Sequence, residues 1–165
     1  MCGRFALIKA DLEYVAWMKS IMRERPKQPK PHYNYVRSQQ VPVIRVVDDE
    51  VVFDTLEWNF YESWFEQVQR GPQFNARGET VATNGLFRRS FANRRCIIPM
   101  SAWYEWQEQN GGEDSLPYAF RYKDQRTFSV AGIWTTGSKK RPGGSLAIIT
   151  TAQIRHASRS TSVCR

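Results

Sequence analysis

The chain has 165 residues, a formal net charge of +8 and 41% hydrophobic residues. That length suits one domain with a sizeable core, and the wealth of aromatic residues excludes an intrinsically disordered chain. No apolar run reaches the roughly 18 residues a membrane span needs, and the start Met1-Cys2-Gly3-Arg4-Phe5 has no signal-peptide hydrophobic region. The sequence therefore reads as a cytosolic protein without a membrane partner.

Over residues 11–24, Leu12, Val15, Trp17, Met18, Ile21 and Met22 recur at close to helical spacing and predict a helix. Prolines 26, 29 and 31 end it in a loop. Residues 41–47 and 50–56 are rich in β-formers and are separated by Asp48 and Asp49, which predicts a hairpin. Residues 90–92 continue a short helix that begins near Leu86. Strands are predicted over residues 96–99, 103–107, 118–122, 128–134 and 146–151. The turns between them fall at Gly111-Gly112, Lys123-Asp124 and Pro142-Gly143-Gly144. Many short strands with one or two helices suggest an α+β domain, a curled antiparallel sheet forming a barrel-like core with a few flanking helices.

The charge is uneven. Residues 70–95 hold six arginines against one acid, Glu79, and residues 138–165 hold six cations and no acid. A basic balance of this kind favours a polyanionic partner, and arginines interleaved with aromatic residues point to nucleic acid over a merely solvated basic face. Cys2, Cys96 and Cys164 form no Cys-x-x-Cys pair, and His32 and His156 are the only other soft ligands. That set argues against a metal site, and no other cofactor is expected.

Cys2 is the first candidate for chemistry. Once Met1 is removed, Cys2 presents an α-amine and a thiol on adjacent carbons, groups that ordinarily titrate at about 8 and about 8.5. Such a 1,2-aminothiol attacks an aldehyde with its amine, and its thiol then closes a five-membered thiazolidine on the same carbon. Position 2 alone is weak evidence, since Met-Cys can simply be how a chain starts. Phe74-Asn75-Ala76-Arg77-Gly78-Glu79-Thr80 adds an amide, a cation and an acid in a segment that otherwise looks buried. Trp103-Tyr104-Glu105-Trp106 sets one carboxylate among aromatic rings, where it is suited to exchange protons. Strand alternation puts Glu105 on the face of Trp103 and Gln107, opposite Tyr104 and Trp106. An ordinary edge-strand glutamate is the plain alternative.

In this order, Met1-Cys2-Gly3-Arg4-Phe5, Tyr33-Asn34, Trp58, Ser63-Trp64, Asn75-Ala76-Arg77 with Glu79-Thr80, Arg94-Arg95-Cys96, Tyr104-Glu105-Trp106, Ala131-Gly132-Ile133-Trp134 and Ile149-Thr150-Thr151 resemble the SRAP (SOS response-associated peptidase) domain family, over roughly residues 1–151. The resemblance implies an SRAP fold and a DNA damage response protein, in which the N-terminal cysteine captures the aldehyde of an abasic site in single-stranded DNA as a thiazolidine. It implies Cys2 as nucleophile, Asn75 positioning the amine or opened sugar, Glu105 handling protons, and His156 as the candidate catalytic histidine. Arg4 and Arg77 would lie near DNA phosphates, and Trp64 and Phe65 would stack on bases. Strand cleavage as an abasic-site lyase and self-processing peptidase activity that removes Met1 are further implications. The alternatives are a non-catalytic single-stranded DNA-binding remnant and a cysteine-dependent peptidase without a DNA role. A monomer is expected.

The chain departs from the family pattern at three places. Arg37 replaces the proline of a Tyr-Asn-x-Ala-Pro segment, and so takes its place beside the DNA. Asn59 and Glu62 replace the glycine and proline of a Trp-Gly-x-x-Pro segment. After residue 151 His156 comes sooner than the family's histidine, and a single domain over residues 1–165 lacking its usual C-terminal part is expected.

Overall fold

A computed structural model describes residues 3–8, 11–23, 30–62, 71, 73–109, 114–137, 142–152 and 161–164, with the backbone alone described at 12, 114, 142 and 161–164. In chain order the elements are β1 (Arg4–Leu7), α1 (Leu12–Ile21), β2 (His32–Val36), β3 (Gln40–Val47), β4 (Glu50–Trp58), β5 (Asn75–Arg77), α2 (Arg88–Asn93), β6 (Arg95–Met100), β7 (Ala102–Gln109), β8 (Asp114–Tyr122), β9 (Phe128–Gly137), β10 (Pro142–Thr150) and β11 (Thr161–Cys164).

The expected barrel-like core is present. Strands run in the order β4-β3-β6-β9-β10, and β10 returns to pair with β4, closing a five-stranded barrel with β5 added on β10. Closure is not wholly antiparallel, because β10 meets both β4 and β5 in parallel. The second sheet has the order β11-β8-β7-β1-β2. Its Phe5, Leu7 and Tyr35 share one buried cluster with Val41, Val43, Leu56, Trp58, Ile98, Met100, Leu146 and Ile148 of the barrel.

The two sheets are joined at corners. Between β6 and β7 lies only Ser101, whose N–H donates to the Ala6 carbonyl (2.8 Å) while its hydroxyl accepts from the Ile8 N–H (3.2 Å). Between β2 and β3 the chain turns at Ser38 (φ 67°), where the Ser38 N–H donates to the Trp58 carbonyl (2.9 Å).

The predicted helix is α1, and the 41–47/50–56 hairpin is β3–β4. Asp48 and Asp49 both have positive φ (50° and 63°), the geometry that lets two residues reverse a twisted hairpin. The short second helix begins at Arg88, two residues later than expected, after a turn at Leu86 and Phe87. The turn predicted at residues 142–144 is corrected. Those residues belong to β10, where the register against β9 slips between Pro142 and Ser145. Gly144 makes that bulge possible: its φ is +76°, and a Cβ there would lie 2.5 Å from the Thr135 carbonyl oxygen. The Gly111-Gly112 turn and most of the 26–31 loop lie outside the described residues. Among the described residues no helix is long and apolar enough to cross a membrane.

Helix α1 covers the outside of the barrel with Tyr14, Met18 and Met22, four residues apart, against Ile44, Val51, Phe53 and Ile97. Asp11 caps it, accepting from the Tyr14 N–H (2.8 Å) and the Thr127 N–H at the entry to β9. Burial pushes the Asp11 carboxyl up, but the Tyr14 and Thr127 donors outweigh it and hold it below its usual value. A lowered folded-state pKa means that this stabilisation is full above the unfolded value and is lost as the pH falls through the folded one. Asp11→Ala should therefore cost about 1 kcal/mol in urea unfolding at pH 7, and the gap from wild type should narrow progressively as the pH falls below about 4. A gap that is unchanged at pH 3 would contradict the cap's ionised role.

Candidate functional site

The site is built around the start of β1. Phe5 is fully buried, stacked on Tyr35 (4.8 Å between centroids) and tilted against Trp58 (5.5 Å). Burying such a ring contributes roughly 1.5–3 kcal/mol, so the strand's first residues are fixed relative to the barrel. Trp58, also fully buried, donates its indole N–H to the Phe74 carbonyl (2.8 Å), which also accepts the Ile148 N–H (3.0 Å). One indole thus ties β1 to the segment that delivers Asn75, the first residue of β5.

Register places the other groups. Arg4 pairs with Tyr104 on β7 and Val36 on β2. Carried one residue toward the N-terminus, both pairings set Gly3 between Glu105 on one side and Arg37 on the other. The second neighbour is a contact: a Cβ on Gly3 would lie 3.4 Å from Arg37 Nη2 and 3.6 Å from its Nε. The same guanidinium lies 5.0 Å from the centre of the Phe74 ring. Glu105 is half-buried on β7. Asn75 is half-buried and pairs with Ile148.

Structure separates some residues that sequence reading had grouped. The Arg4 guanidinium sits 5.2 Å over the Trp106 ring, so Arg4 lies on the face of Tyr104 and Trp106. Phe5 and its partner Trp103 face the core, so the predicted alternation along β7 is present. Phe74–Thr80 is not uniformly buried: Ala76 is, but Arg77 and Glu79 are exposed. The Ala152 N–H, donated to Glu79 Oε1 (2.7 Å), holds that carboxyl below its usual value and fastens β5 to the end of β10. Cys2, Trp64, Phe65 and His156 lie outside the described residues.

Asn59 and Glu62 are buried polar residues. Asn59 donates from Nδ2 to Glu57 Oε1 (2.9 Å) and to the Tyr61 hydroxyl. Glu62 accepts from the Ser90 hydroxyl (2.9 Å). Neither Gly3 as a seat for a guanidinium nor Phe74 as its platform was evident from the sequence. The only signal was a glycine directly after Cys2.

Cys96 is a different kind of thiol. Burial pushes it up to about 12, against the opposing charge of Arg45, so it stays protonated at neutral pH. Among the described residues no three His, Cys, Asp or Glu side chains converge to hold a metal ion.

Two outcomes follow from this geometry. Iodoacetamide at pH 8 should leave Cys96 unmodified in the native protein and alkylate it in urea; native labelling at the free-thiol rate would contradict its burial. Trp58→Phe keeps a ring but loses the bond to Phe74. It should cost about 1–3 kcal/mol, read as a lower urea midpoint, and an unchanged midpoint would remove Trp58 as the tie.

Comparison with known proteins places this geometry. The SOS response associated peptidase (SRAP) family profile matches residues 1–159. The abasic site processing protein YedK of Escherichia coli is 29% identical over 139 residues, covering 82% of this chain and 60% of YedK. YoaM of Bacillus subtilis, also named an abasic site processing protein, is 30% identical over 141 residues, covering 82% of this chain and 61% of YoaM. The chain thus spans less than two thirds of the length of either relative. In structure, a phage-related protein of Bordetella bronchiseptica matches with a TM-score of 0.72 at 22% identity, covering 91% of this chain and 69% of that one.

Proposed function

Because the chain belongs to the SRAP family, we propose that it processes abasic sites in DNA, capturing the lesion covalently in single-stranded DNA through Cys2. The observation that carries this reading is the position of Gly3. The residue directly after Cys2 is held between the strand of Glu105 and the guanidinium of Arg37, with the Asn75 strand tied in through Trp58 and Phe74. The names of the relatives support the substrate class.

In this mechanism Met1 is first removed, freeing the α-amine. The neutral amine adds to the aldehyde carbon of the ring-opened sugar, and the carbinolamine loses water to give an imine. Glu105 supplies the proton that leaves with the hydroxyl and takes back the nitrogen-bound proton of the resulting iminium, which leaves the neutral imine. The Cys2 thiol then adds to the imine carbon, its proton passes to the nitrogen, and a thiazolidine results with one water as the sole by-product. Ring closure is intramolecular and benefits from proximity. Asn75 orients the amine or the opened sugar. Arg4 and Arg77 hold phosphates, with bidentate guanidinium contacts that position but do not read sequence. Trp64 and Phe65 stack on flanking bases, a sequence-tolerant contact. His156 would serve ring opening of the sugar. Elimination from the imine would make the same site a lyase, and removal of Met1 by the chain itself would be its peptidase activity.

The test is a single-stranded oligonucleotide with one abasic site, incubated with protein and analysed under denaturing conditions. Wild type should give a shifted, denaturation-resistant adduct. Cys2→Ala, or residues added before Cys2, should abolish it. Equal binding by wild type and Cys2→Ala without any adduct would instead establish a non-catalytic DNA binder.

A further inference from the structure

We infer that Arg37 is a positioning residue that grips the DNA phosphate next to the reacting sugar, and that Gly3 and Phe74 form its seat. The inference rests on the reading of the site as one for abasic DNA. It concerns a residue that stands where the family pattern has a proline without any side-chain charge.

Three observations lead to it. First, the guanidinium is held from two sides. It lies 5.0 Å from the Phe74 ring centre and against Gly3, at 3.4 Å from where a Cβ would be. The face of a ring attracts a guanidinium, and a residue without a side chain leaves room for its Nη2 and Nε beside the backbone. Second, no carboxylate among the described residues compensates the charge. None lies within ion-pair distance of Arg37, unlike Arg23, Arg45 and Arg126, which meet Glu50, Asp54 and Asp124. An exposed, oriented cation without a counter-charge is a ready partner for a phosphodiester, which accepts two parallel N–H bonds. Third, the position is set by covalent distance. The Arg37 guanidinium lies against residue 3 and over the ring of residue 74, so it stands one residue along the chain from the proposed nucleophile Cys2 and one from Asn75.

An anion held at that place lies beside the reacting carbon, not along the remote backbone track. In this chain, then, a cationic grip occupies the position of a rigid apolar residue. The consequence is selectivity for aldehydes that carry a phosphodiester, because a free aldehyde gains nothing from Arg37.

Two measurements test this, using the full chain. The first is the adduct-forming rate at sub-saturating abasic single-stranded DNA, set beside modification of the N-terminus by propionaldehyde, followed by mass spectrometry. Arg37→Gln should slow DNA capture roughly tenfold and leave propionaldehyde capture unchanged. Arg37→Lys should recover only part of the loss, since it keeps the charge and loses the flat, two-pronged grip. The second is binding to single-stranded DNA containing a tetrahydrofuran residue, which has the lesion's shape but no aldehyde. There Arg37→Gln should weaken binding and lower the salt slope by about 0.7, the value for one phosphate contact on a single strand.

If Arg37→Gln slows propionaldehyde and DNA equally with an unchanged salt slope, Arg37 acts on the nucleophile and the phosphate grip is wrong. Unchanged binding and an unchanged salt slope would also overturn it. Because the tetrahydrofuran measurement needs no adduct, a wild type that never crosslinks would sink the capture reading while still deciding the role of Arg37.

Discussion

The arrangement depends on Trp58. Its ring is fully buried against Phe5, and its one polar atom reaches the Phe74 carbonyl. A buried indole N–H must find an acceptor, so its burial and its hydrogen bond are a single constraint. That constraint fixes the strand that begins at Arg4 against the strand that begins at Asn75, although 70 residues of chain separate them. Backbone bonds at the Ser38 corner reinforce it, with the Trp58 carbonyl accepting from Ser38 and the Trp58 N–H donating to Gln39 (2.9 Å each). Two polar segments from opposite sheets are thereby held to one place without depending on each other's side chains.

A site made this way can vary in its polar groups without losing its frame. Asn59 and Glu62 stand where the family pattern has a glycine and a proline. A polar group moved into a core costs several kcal/mol unless it is satisfied. Here the Glu62 carboxylate receives the Ser90 hydroxyl from α2, and the Asn59 amide is taken up by Glu57 and Tyr61. The Glu62 departure is absorbed by its bond to Ser90, whereas Asn59 is satisfied at its Nδ2 and keeps a buried Oδ1 without a hydrogen-bond partner among the described residues. Arg37 differs in kind, because it is exposed and has no such internal acceptor among the described residues.

The fold was legible in the sequence where elements are long enough to show a period. Helix α1 and the β3–β4 hairpin have ten, eight and nine residues, and their apolar spacing or paired aspartates announce them. Strands β1, β2, β5 and β11 have four, five, three and four residues, and no strand was assigned there from sequence. Arg4–Leu7 is a strand because Val36 and Tyr104 flank Arg4 on either side, and pairing of that kind is set by distant neighbours. The missed strands β1 and β5 are the ones that present the site. Residues 142–144 were misread for a related reason: Pro-Gly-Gly has turn composition, but its positive-φ glycines serve a bulge that bends β10 toward closure.

The candidate site residues were put forward by another route. Cys2, Asn75 and Glu105 came from ordered motifs, and neither composition nor periodicity would have linked them. Geometry adds what motifs leave out, namely which neighbours are in contact. The motifs give Gly3 only as part of the N-terminal pentapeptide, whereas the structure sets the Arg37 guanidinium against it, within van der Waals contact of a Cβ placed there. It also divides the arginines. The Arg4 guanidinium lies over the Trp106 ring on the far face of β7, Arg77 is exposed on β5, and the Arg37 guanidinium reaches Gly3 from the neighbouring strand. Under the proposed reading these cations are not equivalent: Arg4 and Arg77 would serve the backbone track, and Arg37 would set where along that track the chemistry falls.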